Sequence, residues 1–164
     1  MDALKAISQR HSTRAFNGET LTQEALKRLV DAGRLAPTAR NEQPWEFVVV
    51  TKKPQLRDIA ALTDYGQFIA DAGALIVVFT RDTTYFIEDG AAATENILIA
   101  ATAMDIQSCW ICGDKKLYCP TIAKMLNAPQ GMRIVTLIAV GYNNDPPVPT
   151  PKRPLDEVLH WESF

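Results

Sequence analysis

Arg10, His11, Ser12 and Arg14 place two guanidinium groups, an imidazole and a hydroxyl within one turn's length of chain. Such a set suits an anion. An Arg fork meets a phosphate with two parallel N–H donors, a Ser hydroxyl adds another, and each hydrogen bond to a charged group contributes roughly 1.5–3 kcal/mol. A solvated basic turn has the same composition, and the cluster alone leaves the two readings equally open. A second polar group, Asn41 and Gln43 in the loop Ala39-Arg40-Asn41-Glu42-Gln43-Pro44, offers amide side chains. Taken by themselves these read as turn chemistry before a strand, a common use of Asn.

Cys109-Trp110-Ile111-Cys112-Gly113 carries a C-x-x-C pair that suggests thiol redox chemistry or half of a metal site. No second close pair or nearby His completes a tetrahedral set with Cys119, so no metal is expected. A thioredoxin-type pair normally opens a helix near the first strand, whereas this one sits late in the chain and runs into Gly113-Asp114-Lys115-Lys116. Three cysteines cannot all pair within the chain, and a reducing cytosol disfavours a structural disulfide.

These groups must be held by an alternation of helices and strands. Asp2 to Gln9 reads as a short helix with Leu4, Ala6 and Ile7 inward; Thr22 can cap a second, which Pro37 stops. Glu46–Thr51 and Ala74–Thr80 are apolar and β-branched enough to be strands buried on both faces, with a helix from Pro54 to Leu62 between them. Tyr85 to Met104 is apolar on nearly every side and reads as a long helix enclosed in the core or at a subunit contact. Ile106–Ile111 and Ile134–Tyr142 are further strands, and Thr121–Leu126 a short helix. Residues 143–164 begin as an extended arm with Pro146, Pro147, Pro149, Pro151 and Pro154, and Leu155–His160 is expected to be helical. The pattern predicts an α/β or α+β chain whose sheet of about four or five strands is covered by helices.

At 164 residues the chain fits a single domain, 1–164. A net charge of -2 offers no basic footprint for a nucleic acid. The start Met1-Asp2-Ala3-Leu4-Lys5 lacks the pattern of a secretory signal, and the long apolar stretches are interrupted by polar residues, so a cytoplasmic protein without membrane attachment is expected.

Four stretches in register resemble the nitroreductase family. Arg10-His11-Ser12-Thr13-Arg14-Ala15-Phe16 is similar to its first flavin motif, and Ala36 to Phe47, reading APTARNEQPWEF, to its second. Gly90 to Ala101 resembles the family's long core helix and Pro154 to Trp161 its closing segment. The resemblance implies a nitroreductase-like α+β fold of three-layer α/β/α type, with a mixed sheet and an intertwined homodimer holding two FMN. Arg10, Ser12 and Lys152 or Arg153 would then grip the FMN phosphate, with His11 and Arg14 along the ribityl chain or near the ring. Asn41, with Gln43 beside it, would meet the pyrimidine edge, while Pro37, Thr38 and Ala39 would come from the other subunit. The loop of Ile111, Cys112 and Gly113 would lie under the ring with backbone amides reaching flavin N5. Family members often carry Pro at the Trp110 position and Glu at the Cys112 position, so this chain departs at both side chains.

The activity implied is hydride transfer from NAD(P)H through flavin N5 to an electron-poor small molecule, such as a nitroaromatic, quinone or activated alkene. One open site used in turn gives ping-pong kinetics and needs no catalytic side chain. A flavin carrier or sensor without turnover would share every contact, and dehalogenation is a related flavin chemistry. Few residues separate Thr80 from Tyr85, where larger relatives insert roofing helices, so an open site is expected. Glu95 on the long helix is costly unless paired, and a hydrogen bond or ion pair suits it better than a role as catalytic acid. His160 and Trp161 read as packing or dimer-arm residues, and Tyr65, Phe68, Tyr85 and Phe86 as either core or substrate-lining.

Overall fold

A computed structural model of the chain describes residues 1–145 and 150–164. Two of the helices begin at side-chain caps. Asp2 accepts the Lys5 N–H at 3.0 Å to start α1 (Ala3–Gln9), and Thr22 accepts the Ala25 N–H at 3.1 Å to start α2 (Gln23–Arg34). Pro54 lies in the first turn of α3 (Lys53–Leu62), where no intrahelical donor is lost. α4 (Phe86–Ala103) and the short α5 (Cys119–Met125) complete the helices.

The strands β1 (Trp45–Val50), β2 (Ala74–Arg81), β3 (Gln107–Cys112) and β4 (Met132–Gly141) form one sheet in the order β1-β2-β4-β3. All three pairings are antiparallel, so the chain's own described strands make an antiparallel sheet rather than a mixed one. On one face Leu75, Val77, Phe79, Leu137 and Ala139 pack under α3 and α5; on the other Ala74, Ile76, Val78, Ile138 and Val140 pack under α2 and α4. This gives the three layers expected, with Ala74–Thr80 of β2 and Ile134–Gly141 of β4 sealed on both sides.

Three local expectations change. β1 is an edge strand with one partner, and its middle residues Phe47, Val48 and Val49 are half-buried rather than enclosed. In α1 only Ala6 is buried, while Leu4 is 79% and Ile7 53% exposed, because the helix touches the body along a narrow line. Leu155–His160 makes only a 3-10 turn over Leu155–Glu157, since these residues stay exposed and no packing among the described residues repays nucleation of a longer helix. Pro146, Pro147 and Pro149 of the arm lie outside the described residues. Residues 150–164 are exposed throughout.

One irregularity positions the site. Between Val78 and Phe79 the β2–β4 register slips, because Val78 faces Thr136 and Phe79 faces Ile134, leaving Val135 as an extra residue. Val135 turns its side chain to α4, where a β-carbon on Gly90 would meet it at 2.7 Å. Its carbonyl accepts the Gly113 N–H at 3.1 Å.

Candidate functional site

The amino-terminal basic segment is fastened to the free edge of β3. Thr13, 5% exposed, donates its N–H to the Ser108 carbonyl at 2.9 Å and its hydroxyl to Gln107 Oε1 at 2.8 Å. With Thr13 fixed, its neighbours Ser12 and Arg14 stay exposed beside the strand. Their proximity registers on Cys109: burial pushes its thiol up, against the Arg14 charge, a Ser12 hydrogen bond and the Arg10 charge. Arg10, Ser12 and Arg14 therefore all lie near enough to β3 to act on Cys109. Cys119 is pushed up to about 11, by burial first and the Asp114 charge second. Since its proton is held to higher pH than in a free thiol, Cys119 should alkylate far more slowly than an exposed thiol at pH 8; equal rates in a folded sample would contradict this placement.

The phase of the β3–β4 ladder shows which backbone groups are available. Gly113 donates inward to Val135, whereas Ser108 turns its carbonyl outward to Thr13. Because alternate residues of an antiparallel strand turn both backbone groups to the same side, Trp110 and Cys112 present their amides to the outer edge, next to Arg14. The Gly113 amide is committed to the sheet, so the edge donors are those of Trp110 and Cys112. A β-carbon at Gly113 would lie 2.5 Å from the Ile134 and Val135 carbonyl oxygens. Gly113→Ala must therefore part β3 from β4, and should lower the thermal midpoint by several degrees, as about 1–3 kcal/mol of overpacking does. Differential scanning fluorimetry checks this; an unchanged midpoint would count against the close approach.

Two cavities flank the basic segment. The larger, about 740 Å³, is lined by Arg10, His11, Glu95, Asp105, Ser108 and Lys152 among others. The smaller, about 250 Å³, is lined by Arg14, Tyr65, Phe68, Trp110, Ile111 and Tyr118 among others. Arg10 Nε lies 3.5 Å from Glu95 Oε1, an ion pair that gives the helix carboxylate its partner. His11 Nδ1 lies 3.0 Å from the Gln9 carbonyl and so donates to it, while Nε2 is buried without a partner among the described residues. Lys152 lines the larger cavity, while Arg153 is turned back onto Glu157, 3.3 Å from its carboxylate and 2.9 Å from its carbonyl. Tyr65 and Phe68 face the smaller cavity, whereas the Phe86 ring is covered by Arg133.

The second polar loop lies elsewhere. Pro37, Thr38, Ala39, Asn41 and Gln43 line neither cavity. Their turn is held at the start of α4, where the buried Asp89 accepts the Ala39 N–H at 3.0 Å, and Thr38 Oγ1 accepts the Gln43 N–H at 3.2 Å. Arg40, Asn41 and Gln43 all adopt positive φ, at 54°, 56° and 45°. Such backbone persists only where the surroundings hold it, and it turns these exposed side chains away from the chain's own body. Asn41 belongs to the same rigid turn as Thr38 and Ala39, so whatever surface those two meet, Asn41 meets too.

Sequence reasoning overlooked Thr13, Asp89 and Arg133, which fasten the two loops and the segment after β3. An acidic residue in the first turn of α4 was visible, but acids are common there for the helix dipole alone. Among the described residues no cluster of His, Cys, Asp or Glu could hold a metal ion, and no helix is long and apolar enough to cross a membrane.

A three-layer chain whose basic amino-terminal segment runs along the outer edge of an antiparallel sheet has the architecture of a nitroreductase. The Nitroreductase family pattern matches residues 7–65 and 61–142, and the chain belongs to that family. It is 31% identical, over 88% of its length and 87% of the relative's, to an Archaeoglobus fulgidus protein provisionally named NADH dehydrogenase/NAD(P)H nitroreductase. A structure from Parabacteroides distasonis with the same provisional name superposes with TM-score 0.92 at 25% identity, covering 99% of this chain and 98% of that one. A provisionally named nitroreductase from Desulfovibrio desulfuricans, solved in complex with FMN, matches with TM-score 0.86 at 29% identity, covering 100% of this chain and 98% of that one.

Proposed function

We propose that the chain binds FMN and catalyses two-electron transfer from NAD(P)H to an electron-poor small molecule, a nitroaromatic, quinone or activated alkene. The observation that carries this reading is the convergence of Arg10, Ser12 and Arg14 on the β3 edge, beside the outward amides of Trp110 and Cys112. The residues present fit the cofactor. Arg10, Ser12 and Lys152 form the phosphate grip, and the commitment of Arg153 to Glu157 favours Lys152 as its third member. His11 and Arg14 lie along the ribityl chain or the ring, where a donor or cation stabilises negative charge gained on reduction. The edge amides of Trp110 and Cys112 suit acceptor atoms of the ring. FMN, when bound, supplies the redox chemistry, and the chain's part is to bind, orient and stabilise charge.

The site is completed by a second copy in this reading. The turn carrying Pro37, Thr38, Ala39, Asn41 and Gln43 faces outward, and serves the flavin of the partner as one unit. The arm supports the same arrangement: Leu155, Val158, Leu159, Trp161 and Phe164 are all exposed in the single chain. A groove of about 470 Å³ between α2 and the free edge of β1, with an apolar floor of Leu26, Val30, Phe47 and Val49 and a polar rim that includes Lys27, Asp31 and Arg34, is open to receive such a segment. The connection from β2, ending at Arg81, to α4, starting at Phe86, is too short to hold an inserted helix, which fits an open site and a permissive range of acceptors. Operation in the cytoplasm, where NAD(P)H is available, belongs to the same reading.

The purified protein should be yellow and release FMN rather than FAD on denaturation. NADH or NADPH should bleach it without air; flavin that stays oxidised would indicate a carrier or sensor instead. Initial-rate lines should be parallel when both substrates are varied, and intersecting lines would contradict a single site used in turn.

A further inference from the structure

Arg133, at the start of β4, makes more directed contacts than any role in the sheet requires. Its Nε and one terminal nitrogen lie 2.9 and 2.8 Å from Asp114 Oδ1, its other terminal nitrogen lies 2.8 Å from Asp82 Oδ1, and its central carbon sits 4.0 Å from the centre of the Phe86 ring. The three groups belong to three different segments. Asp114 follows Gly113 at the exit of β3, Asp82 lies in the turn after β2, and Phe86 opens α4. A guanidinium used at all three nitrogens and on one face is fixed in orientation as well as in place, which a lysine ammonium cannot reproduce.

We propose that Arg133 is a positioning residue for electron transfer: through Asp114 it sets how the chain leaves β3, and so where the Trp110 and Cys112 edge amides stand relative to the bound ring. The proposal rests on the FMN reading above. Three facts make the exit the point of control. The Gly113 amide is tied to Val135 and cannot slide, Lys116 closes the following turn by donating its N–H to the Gly113 carbonyl at 2.8 Å, and Asp114 between them is held by Arg133. Without that hold the turn keeps its two backbone bonds but loses the side-chain anchor that fixes it against β4. Asp82 then serves a separate purpose, joining Arg133 to the β2–α4 connection.

The two roles separate in Arg133→Lys, Asp114→Asn and Asp82→Asn, each loaded with FMN. Arg133→Lys and Asp114→Asn should retain FMN within about 3-fold in Kd, shift the visible absorption of the bound flavin, and slow anaerobic reduction by NAD(P)H about 10-fold at saturation. Their KM for the nicotinamide should stay unchanged, because misplacement of reacting groups is felt in the rate of the chemical step. Asp82→Asn should reduce at the parent rate while lowering the thermal midpoint. Asp114→Asn carries the test if Arg133→Lys does not fold. Parent-like reduction in the Asp114 variant, or equal slowing in the Asp82 variant, overturns the positioning role while leaving FMN binding intact. A parent protein that takes up no FMN overturns the cofactor reading and this proposal with it.

Discussion

Ending the chain at Asp145 should yield a colourless monomer. Truncation removes Lys152 from the larger cavity and, with it, every one of the exposed apolar residues Leu155, Val158, Leu159, Trp161 and Phe164. If the arm joins two copies, its loss removes the contact that brings the Asn41 turn to the partner's flavin, so oligomerisation and cofactor retention fall together. Sedimentation velocity and the ratio of flavin to protein absorbance measure the two effects. Lys152→Ala separates them, because loss of one charge-assisted hydrogen bond should weaken FMN about 10- to 100-fold without changing the oligomeric state. Trp161→Ala should do the reverse and weaken the dimer at least about 10-fold, as truncating a large aromatic anchor does at interfaces. A truncated chain that remains dimeric and yellow would refute the arm as the joining element.

Arg10→Ala should be the most damaging single change to cofactor affinity. It removes a fork with capacity for two charge-assisted hydrogen bonds, and it leaves Glu95, 3.5 Å away in the intact chain, without its partner and beside the incoming phosphate. Loss of about 1.5–3 kcal/mol per bond corresponds to a rise in FMN Kd of at least about 10-fold and up to about 100-fold for each. Glu95→Gln relieves the repulsion and keeps the helix neutral at that point, so it should bind FMN as well as or better than the parent. The double variant should then recover part of the loss seen in Arg10→Ala, and fluorescence titration of FMN gives the coupling. Equal affinity in Arg10→Ala and parent would show that the phosphate is held elsewhere.

Much of the fold was legible because its signals are local. The β-branched runs at Val48 to Val50 and Ile76 to Val78, the Thr22 cap and the apolar stretch through Ile97 to Ala101 each specify an element without reference to the rest. What failed depends on neighbours far along the chain. Val48 and Leu75 look alike in sequence, yet β1 ends the sheet and β2 has strands on both sides, and only the strand order decides which is half-exposed. The same applies to Leu4 and Ile7, apolar at helical spacing but facing outward because α1 meets only a narrow strip of the body. The basic cluster of Arg10, Ser12 and Arg14 was readable from composition, and its convergence on Cys109 was not, since Thr13 and Gln107 are far apart in sequence. Arg133 illustrates the limit: nothing about an arginine at the start of a strand announces two carboxylates from two other segments.

The extra residue in β4 makes that strand a ruler graduated differently along its two sides. Against β2 the count passes over Val135, whereas against β3 Val135 is counted, because it supplies the acceptor for Gly113. Deleting it would leave Thr136 and Ile134 on their present sides of the sheet and Arg133 level with Thr80, but would bring Arg133 one residue spacing, about 3.3 Å, nearer the end of β3. The two carboxylates that Arg133 joins are therefore kept in step by a single inserted amino acid. A shortened chain of otherwise native sequence would keep Arg133 in its place against β2 and change how it meets Asp114.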